Sequence, residues 1–459
     1  MIRSIMMSER IAFISVNQYK VPYPVYPLGI SYLATCLRET GRYEVMVIDM
    51  NMTTHDDCIR RLREFDPAYI GLSLRNIDDV NFYNKENFIF GYKRLIDDIR
   101  SVLGSTILLG GAGFSLYPEV LFDFLRPDYA MSGEGEHTIL ALLDALREGR
   151  DPSGVSGLVY RRGNTAAVNE RTKPCSHNDF PVRYESGLVP YYWKNSGMLN
   201  LQTKRGCPFR CIYCTYPLIE GNTVRTNNID RVIESLEDLR GNHGVDYVFF
   251  TDSVFNIDRK YNIEFARRVI SSGIGIRWGG YFAPTNLDDE EMSLLKESGL
   301  THIEFGTESL SDTVLDAYRK GFSVDDVIRS SELCNKYGVN FAHFMILGGY
   351  GETEETLAET FENSKRIENT AFFPFVGMRI YPNTELHRIA LDEGIVSETD
   401  QLLDPVYYVA KGINLDTIQD RAKATGGKWF FPDEDFSAAI GKMRARNKKG
   451  LLWEYLIRF

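Results

Sequence analysis

Residues 203–217, TKRGCPFRCIYCTYP, decide how the rest of the chain is interpreted. They place Cys207, Cys211 and Cys214 at Cys-x-x-x-Cys-x-x-Cys spacing, directly after an apolar segment that is typical of a strand. Three thiolates so close together on one loop can converge on one face of a 4Fe–4S cluster, because its irons favour sulfur ligands. Only three ligands are local, so the fourth iron would stay open to another molecule.

The same spacing could also arise in a zinc site or by chance. Structural zinc usually takes four closed ligands from two pairs of residues. Only Cys334 follows Cys214, so the chain lacks a second Cys-x-x-Cys pair, and the spacing favours a cluster over zinc. The other four cysteines, Cys36, Cys58, Cys175 and Cys334, are predicted to be buried small hydrophobes. An odd total of seven, with three in one loop, favours a reducing compartment over a disulfide framework.

Alternating strand and helix patterns continue from the cysteine loop to about residue 395. Six apolar segments are typical of strands: LNLQTKRG, DYVFFTD, GIRWGGYF, HIEFGTES, NFAHFMIL and FVGMRIYP, the last at 375–382. Helical patterns lie between them, near 229–240, 260–272, 288–298, 311–319, 324–337 and 353–366. Six βα units in order predict most of a TIM-type barrel over 196–395, with its chemistry at the carboxyl ends of the strands.

Residues 1–150 carry an earlier alternating series of the same kind. Apolar strand patterns lie at 11–16, 43–49, 68–74, 106–111 and 128–133, with amphipathic helical patterns between them. Buried strands that alternate with helices predict an α/β fold with a Rossmann-like, doubly wound parallel sheet. Residues 151–195 are predicted to form a small hairpin and a linker. Residues 396–459 form a small C-terminal region that could cap the active site.

Composition limits the class of partner. Hydrophobic residues make up 44% of the 459 positions and charged residues 25%, which is typical of a globular protein. The net charge of −11 disfavours a nucleic-acid backbone as the partner. The sequence has no run of 18 apolar residues that would predict a transmembrane helix, and MIRSIMMSER lacks the apolar core of a signal peptide. A cytoplasmic location is therefore expected.

Three loops follow the last three strands of the N-terminal series. They are SLRN (73–76), LGGAGFS (109–115) and SGEGE (132–136). Doubly wound sheets bind ligands at the carboxyl ends of their strands, and glycines let the backbone approach a large flat ligand closely. A dinucleotide would require a G-x-G-x-x-G turn after the first strand, but that loop reads VNQYKVPYPVYPLGI. A domain that binds nothing is the other alternative.

The cysteine loop resembles that of the radical S-adenosylmethionine (SAM) superfamily, which carries it after the first strand of a partial (β/α)6 barrel. The resemblance implies a 4Fe–4S cluster whose open iron binds SAM, and reduction that cleaves SAM to methionine and a deoxyadenosyl radical. It places Tyr213 against the adenine. Further SAM contacts are implied at four strand ends: Asp252, Ser253, Glu308, Ser309, Gly349 and Arg379. The Gly-Gly-Glu motif of many members is absent, and Glu308 could instead be an acid at a helix N-terminus.

The three N-terminal loops, in this order, resemble the cobalamin-binding domain of cobalamin-dependent radical SAM enzymes. The resemblance covers about 1–390 and parts of the tail. It implies these contacts to cobalamin: Ser73, Leu74, Arg75, Asn76, Gly110, Gly111, Gly113, Gly133, Glu134, Gly135 and Glu136. The Asp-x-His-x-x-Gly motif, which supplies a lower-ligand histidine in many such domains, is absent after the first strand. We therefore expect base-off cobalamin without a histidine ligand. Arg75 would approach the lower face of the cobalt or pair with Asp78 or Asp79.

The resemblance implies an enzyme that methylates an unactivated carbon of a small-molecule, lipid or other natural-product substrate through methylcobalamin and a deoxyadenosyl radical. A flavodoxin or ferredoxin would supply the electron. The main alternative is a cobalamin-dependent cyclase or ring-rearranging enzyme. Methylthio transfer and a non-enzymatic cobalamin sensor or carrier are further alternatives. Aromatic residues at the third and sixth strands are predicted to face the substrate: Trp278, Tyr281, Phe282 and Tyr381. His302 and His343 are predicted to be barrel histidines whose hydrogen bonds are satisfied within the protein.

Overall fold

The computed structural model describes residues 8–171, 182–432 and 434–456. Cys175, predicted to be a buried thiol, and part of the predicted linker lie outside the described residues. The strands are β1 Glu9–Ser15, β2 Tyr43–Asp49, β3 Tyr69–Ser73, β4 Thr106–Gly110, β5 Tyr129–Met131, β6 Leu158–Arg162, β7 Thr165–Val168, β8 Leu199–Leu201, β9 Lys204–Arg205, β10 Arg225–Thr226, β11 Tyr247–Phe250, β12 Arg277–Phe282, β13 Leu300–Glu308, β14 Asn340–Leu347, β15 Thr370–Val376, β16 Met378–Arg379 and β17 Tyr407–Tyr408.

Helices follow most of the strands of both sheets. They are α1 Leu28–Glu39, α2 His55–Phe65, α3 Ile89–Val102, α4 Ala112–Leu116, α5 Pro118–Leu125, α6 Glu136–Arg147, α7 Val189–Asn195, α8 Tyr216–Glu220, α9 Ile229–Gly241, α10 Arg259–Ser272, α11 Asp289–Glu297, α12 Asp312–Ala317, α13 Val324–Tyr337, α14 Glu354–Ser364, α15 Glu385–Asp392, α16 Ile418–Ala424, α17 Ser437–Ala445 and α18 Trp453–Leu456. Short 3-10 turns lie at Pro152–Gly154, Phe255–Ile257 and Leu415–Thr417. None of the described helices is long and apolar enough to cross a membrane.

The first sheet has the strand order β2-β1-β3-β4-β5-β6-β7. Strands β1 to β5 are parallel, and β6 and β7 add an antiparallel hairpin at the edge. Both faces of the sheet carry buried apolar side chains. Ile70 and Leu72 pack on one face, and Phe13 and Leu108 pack on the other. The predicted doubly wound parallel sheet is confirmed. Its order reverses between β1 and β3, where such sheets bind their ligands.

The second sheet is parallel, with its strands in the order β15-β14-β13-β12-β11-β8. Helices α9 to α14 alternate with these strands, as the predicted partial barrel requires. Ser323 and Thr353 begin α13 and α14 with reciprocal capping hydrogen bonds, so sequence signals at the helix starts fix where these units begin. Leu451, Leu452 and Trp453 of the C-terminal segment pack against Phe249 and Phe373 of this sheet.

The sixth strand of the barrel lies earlier in the chain than predicted. The sequence prediction placed it at 375–382, but the strand that pairs with β14 is β15, Thr370–Val376. Gly377 follows in the left-handed region at φ +69°, and β16 then pairs antiparallel with β17 outside the barrel sheet. Arg379 and Tyr381 therefore do not belong to a barrel strand, which changes what they can contact.

Candidate active site between the two sheets

The cysteine loop begins at a turn that only glycine can make. Gly206 has φ +86°, and a Cβ there would lie 2.1 Å from the Thr223 carbonyl oxygen. The loop is held by the Ile212 amide, which donates to the Tyr318 carbonyl at 3.3 Å, and by the Cys214 amide, which donates to the Cys211 carbonyl at 3.2 Å. These contacts place the three thiols on the wall of one cavity of about 280 Å³.

The three thiols suit a cluster bound inside this cavity. Burial raises the pKa of each thiol, that of Cys214 to about 12, and Cys211 and Cys207 add to this by repulsion. Their thiolates therefore need strong positive charge beside them, which bound iron would supply. Among the described residues, no group of histidine, cysteine and acidic side chains is arranged to hold a single metal ion.

Lys320 and Glu308 form an ion pair on the wall of the same cavity, beside Cys211. The Lys320 Nζ lies 3.3 Å from Glu308 Oε1 and donates to the Tyr213 hydroxyl at 3.2 Å. Burial alone would lower the pKa of Lys320, but Glu308 and Cys211 outweigh it and raise that pKa. Glu308 has φ +67°, a strained conformation for a residue other than glycine. Strain of this kind is typical of sites that hold a ligand.

The structure brings together three of the predicted SAM contacts. Tyr213, Ser253 and Glu308 line the cavity with the three cysteines. Ser309 lies behind it, fully buried, where its hydroxyl is 3.2 Å from that of Thr360. Gly349 makes room for the Tyr318 hydroxyl, which would lie 2.2 Å from a Cβ at that position. Ser309 and Gly349 therefore support the wall of the cavity without lining it.

Asp252 is also absent from the cavity wall. It is fully buried beneath the cysteine loop, where its carboxylate accepts from the Thr203 amide at 2.6 Å and the Lys204 amide at 3.1 Å. It also pairs with the Lys204 ammonium at 3.2 Å, and burial lowers the pKa of that lysine. The described contacts give Asp252 a structural role, because they hold the segment that leads into the cysteine loop.

Asp252→Ala is expected to lower the free energy of unfolding by about 3–5 kcal/mol, because it leaves the Lys204 charge buried without a partner. Anaerobic urea unfolding followed by tryptophan fluorescence measures this. The matched double variant Lys204→Met/Asp252→Leu removes both charges and should recover a large part of the loss. Equal stability of Asp252→Ala and the wild type would contradict the structural part.

Arg379 connects the two sheets instead of facing the cluster cavity. Its guanidinium pairs with Asp78 at 2.9 Å, and both side chains are almost fully buried. It also donates to the Tyr117 hydroxyl at 3.2 Å and lies over the ring of Tyr381 at 4.9 Å. Arg379 and Tyr381, predicted to contact SAM and substrate, are thus placed at the interface between the sheets.

A second cavity, of about 200 Å³, lies at the carboxyl ends of the strands of the first sheet. Seven of the predicted cobalamin contacts line it: Ser73, Gly110, Gly111, Gly133, Glu134, Gly135 and Glu136. Leu74 and Gly113 are instead part of the loop's own packing, joined by a backbone hydrogen bond of 2.9 Å. The Asn76 carbonyl accepts from the Tyr92 hydroxyl at 2.8 Å. Gln202, Arg205 and Glu220 close the cavity from the side of the barrel.

Two ion pairs connect the first sheet with the barrel beside this second cavity. Arg205 donates to Glu136 at 2.8 Å, and Arg225 donates to Glu134 at 2.6 Å. Burial opposes ionisation of Glu136, but Arg205 outweighs it and lowers the pKa of that carboxyl. Because Arg205 precedes Cys207 by two residues, the loop that carries the cysteines is fixed directly to the glycine-rich turns of the first sheet.

Arg75 lies in the loop that follows β3, and its side chain is not among those that line the two cavities. Its side chain keeps accessible surface, but the surrounding protein lowers its pKa. The phenols that act on this pKa include those of Tyr281 and Tyr216, which line the cluster cavity. Within the described structure it forms no ion pair with Asp78 or Asp79, so that alternative is not realised. The guanidinium therefore lies within electrostatic range of the cluster cavity.

Two of the four predicted substrate-facing aromatics, Tyr281 and Phe282, line the cluster cavity. Trp278 does not: it is fully buried against Phe250 and Phe255 on the helix side of the sheet, with its indole N–H near Ser298. This is a correction with a simple reason. Trp278 lies near the start of β12, whereas Tyr281 and Phe282 lie at its carboxyl end, where barrels place their ligands.

The histidine predictions have different outcomes. The ring nitrogens of His343 lie 2.7 Å from the Thr307 hydroxyl and 3.2 Å from the Ser331 hydroxyl, so both find partners. His302 is also fully buried, but neither of its ring nitrogens has a hydrogen-bond partner among the described residues. The prediction of a satisfied histidine is therefore wrong for His302. Burial lowers the pKa of both imidazoles to about 3.

Sequence reasoning missed several residues of the cavity wall. Phe209, Tyr216, Lys320, Phe322 and Phe344 all line it. Tyr216 follows the third cysteine by two residues, so proximity to the motif could have identified it. Phe344 shares its position along the sheet with Gly306. Lys320 lies twelve residues beyond Glu308, on the far side of α12, and no pattern in the sequence connects the two.

Comparisons with known proteins identify two domains in this chain. A family model described as the B12 binding domain matches residues 14–143, and one described as the Radical SAM superfamily matches residues 201–363. Tryptophan 2-C-methyltransferase from Streptomyces laurentii is 26% identical over 80% of this chain and 72% of that protein. Anaerobic magnesium-protoporphyrin IX monomethyl ester cyclase from Rubrivivax gelatinosus is 26% identical over 74% of this chain and 62% of that protein.

A solved structure shares the whole fold. The radical S-adenosylmethionine methyltransferase TsrM from Kitasatospora setae, with cobalamin and a 4Fe–4S cluster bound, superposes with a TM-score of 0.87. The alignment covers 98% of both chains at 20% sequence identity. The arrangement of the two sheets described above is therefore an arrangement that a known protein also adopts.

Proposed function

Because the chain belongs to the cobalamin-dependent radical SAM enzymes, we propose that it transfers a methyl group from SAM to an unactivated carbon of a small, largely apolar molecule. The observation that carries the proposal is the direct contact between the two candidate cofactor sites. Arg205, two residues before Cys207, donates to Glu136 of the glycine-rich turns at 2.8 Å, and both residues line the second cavity. Two adjacent cofactor sites suit a reaction that uses both cofactors on one substrate.

The residues present fit the three cofactors. Cys207, Cys211 and Cys214 would hold the cluster, and the glycine-rich turns around Gly111 and Gly133 would let cobalamin lie close to the backbone. When bound, the cluster supplies an electron that cleaves SAM, and cobalamin supplies a carrier for the methyl group. An external donor such as a flavodoxin or ferredoxin remains our expectation for the electron.

The chain's own residues would orient SAM and exclude water. Tyr213, Phe209 and Phe322 give the cluster cavity aromatic walls, while Lys320 and Glu308 place one positive and one negative group on it. SAM carries a carboxylate and an ammonium group on its methionine portion, so this ion pair offers a partner to each of those two groups. We also propose the divisions 1–150, 151–195, 196–395 and 396–459 as functional units; the family matches at 14–143 and 201–363 support the first and third.

Lys320→Met is expected to weaken SAM binding to the enzyme with its oxidised cluster by about 10- to 100-fold, because the SAM carboxylate would lose the ammonium group that we propose pairs with it. Equilibrium dialysis with radiolabelled SAM measures the dissociation constant. Lys336→Met, which removes an exposed lysine paired with Asp289 on the surface, is the matched control and should not change it. Equal SAM affinity in Lys320→Met and the wild type would show that this lysine does not bind SAM.

Base-off cobalamin without a protein nitrogen ligand is part of the proposal. The Arg75 guanidinium supports it, because a fixed positive charge cannot act as a ligand and disfavours one nearby. The bound cob(II)alamin is therefore expected to give an electron paramagnetic resonance spectrum without nitrogen superhyperfine splitting. Clear splitting from an axial nitrogen would contradict this prediction.

The alternative function is cyclisation or ring rearrangement with the same cofactors. The relative that is named as a cyclase supports this alternative. The relative named as a 2-C-methyltransferase supports a carbon acceptor for methylation. The products made from SAM distinguish the two reactions. Anaerobic enzyme with SAM, reductant and substrate should form both deoxyadenosine and S-adenosylhomocysteine if it methylates. Turnover of the substrate with deoxyadenosine alone would favour cyclisation or rearrangement.

A further inference from the structure

The inner face of β13 carries an acidic residue that the proposed reaction does not use. Glu304 is 4% exposed and precedes two residues that line the cluster cavity on the same face, Gly306 and Glu308. In the sheet it pairs with Tyr281 of β12 on one side and with Ala342 of β14 on the other. Glu304 therefore lies one step deeper in the barrel than the cavity, directly beside one of its lining tyrosines.

Half of this carboxyl group has no partner. Its Oε1 accepts a hydrogen bond from the Trp453 indole N–H at 2.9 Å. Its Oε2 makes no hydrogen bond or ion pair with any residue that the structure describes. Burial raises the pKa of Glu304 to about 8. A buried carboxyl group without a cation is costly, so the protein maintains here a group that a suitable ligand would stabilise.

The surroundings favour a cation as that ligand. Tyr23, from the loop after β1, and Tyr281 both lie close enough to interact electrostatically with Glu304, and burial raises the pKa of both phenols. Their rings offer negative π faces to a positive charge. A bound ammonium would favour the ionised form of Glu304, which burial alone disfavours.

The Trp453 contact makes Glu304 a fixed group. The indole that donates to Glu304 packs against Phe373, with ring centroids 4.1 Å apart. The C-terminal segment thus fixes Oε1 of this carboxyl group, and Oε2 stays without a hydrogen bond among the described residues. A rigid, preorganised acceptor loses little entropy when it binds a donor, which is the property expected of a specificity residue.

We propose that Glu304 binds a protonated amine of the substrate, and that the enzyme acts on a small apolar molecule that bears such an amine. The proposal rests on the proposed function, since it assumes that the substrate occupies the space beside the cluster cavity. The ammonium would lie against Glu304 and the ring faces of Tyr23 and Tyr281. The apolar body would extend along Phe344 toward the cysteines.

Binding to the loaded enzyme tests this without knowledge of the substrate. Holoenzyme is dialysed anaerobically against tryptamine, phenethylamine and their N-acetyl derivatives, which share the ring but lack the charge. We expect retention of at least one amine over its N-acetyl partner by about tenfold or more. In Glu304→Gln that preference should fall to near unity, and in Glu304→Asp part of it should remain. Equal retention of amines and N-acetyl derivatives, or a preference that survives Glu304→Gln, overturns the inference.

Iron and corrin are assayed in the same samples. A wild-type chain that cannot bind corrin contradicts the proposed function, whereas a fully loaded chain without amine preference contradicts only the part given to Glu304. If Glu304→Gln does not fold, the comparison of the wild type with Glu304→Asp decides, because the shorter side chain keeps the charge but withdraws it from the tyrosines. An unchanged preference in Glu304→Asp would then count against the inference.

Discussion

Cys211→Ala is expected to remove nearly all cluster iron and to lower deoxyadenosine formation by more than about a hundredfold. Loss of a residue that only orients a metal ligand typically costs up to about a hundredfold, so loss of a ligand itself should cost more. The physical reason is the ligand count. The loop offers three thiolates, and the two that remain in the variant are too few to hold the cluster firmly. Anaerobic iron and sulfide analysis, with chromatography of the SAM products, measures both effects.

Corrin binding should survive in the same variant, because Cys211 lies on the barrel side and the glycine-rich turns do not contact it. Cys58→Ala is the matched control: that thiol is fully buried between α2 and the first sheet, away from the cavity. It should keep its iron and lose only about 1 kcal/mol of stability. If Cys211→Ala retained a full cluster, the assignment of the three cysteines would be wrong.

Ser73→Trp is expected to produce the opposite pattern, with loss of corrin and retention of iron. Ser73 ends β3 and lines the cavity of about 200 Å³ at the edge of the first sheet. An indole there would fill much of that space, so retained corrin should fall by about tenfold or more, as expected when a ligand site is overfilled. The absorbance of the purified, corrin-supplied protein measures the bound fraction.

Ser73→Ala is the control for this variant, because it removes the hydroxyl without occupying the cavity, and its corrin content should stay close to that of the wild type. The two variants together, Cys211→Ala and Ser73→Trp, separate the cofactor sites. Normal corrin binding by Ser73→Trp would place cobalamin elsewhere than at the ends of β1, β3, β4 and β5.

The sequence predicted most of the fold because its patterns are local. Buried apolar runs alternating with helices indicate parallel sheets whatever the rest of the chain does, and the cysteine spacing needs only eight residues. The boundary of the sixth barrel strand was misplaced because both 370–376 and 375–382 are apolar. Only pairing with β14 chooses between them, and pairing is a property of the assembled sheet.

The site was harder to predict where distant parts of the chain meet. Arg379 pairs with Asp78, 301 residues away, so a motif match could not reveal that it joins the sheets. Asp252 follows the barrel strand β11 by two residues, where a ligand contact is expected, but its carboxylate is paired with Lys204. Glu304 resembles an ordinary strand residue until Trp453, 149 positions later, packs beneath it. Trp278, by contrast, could have been excluded because it lies near the start of its strand, away from the carboxyl end.

The fate of the methyl group of SAM tests the central claim most directly. Holoenzyme, reductant and SAM labelled with deuterium in its methyl group are incubated with a small-molecule extract, and the mixture is compared by mass spectrometry with an unlabelled reaction. We expect a metabolite that is consumed and a product that carries one labelled methyl group on carbon, with deoxyadenosine and S-adenosylhomocysteine formed alongside. A metabolite that is consumed together with deoxyadenosine formation, but whose product carries no label, would contradict methyl transfer.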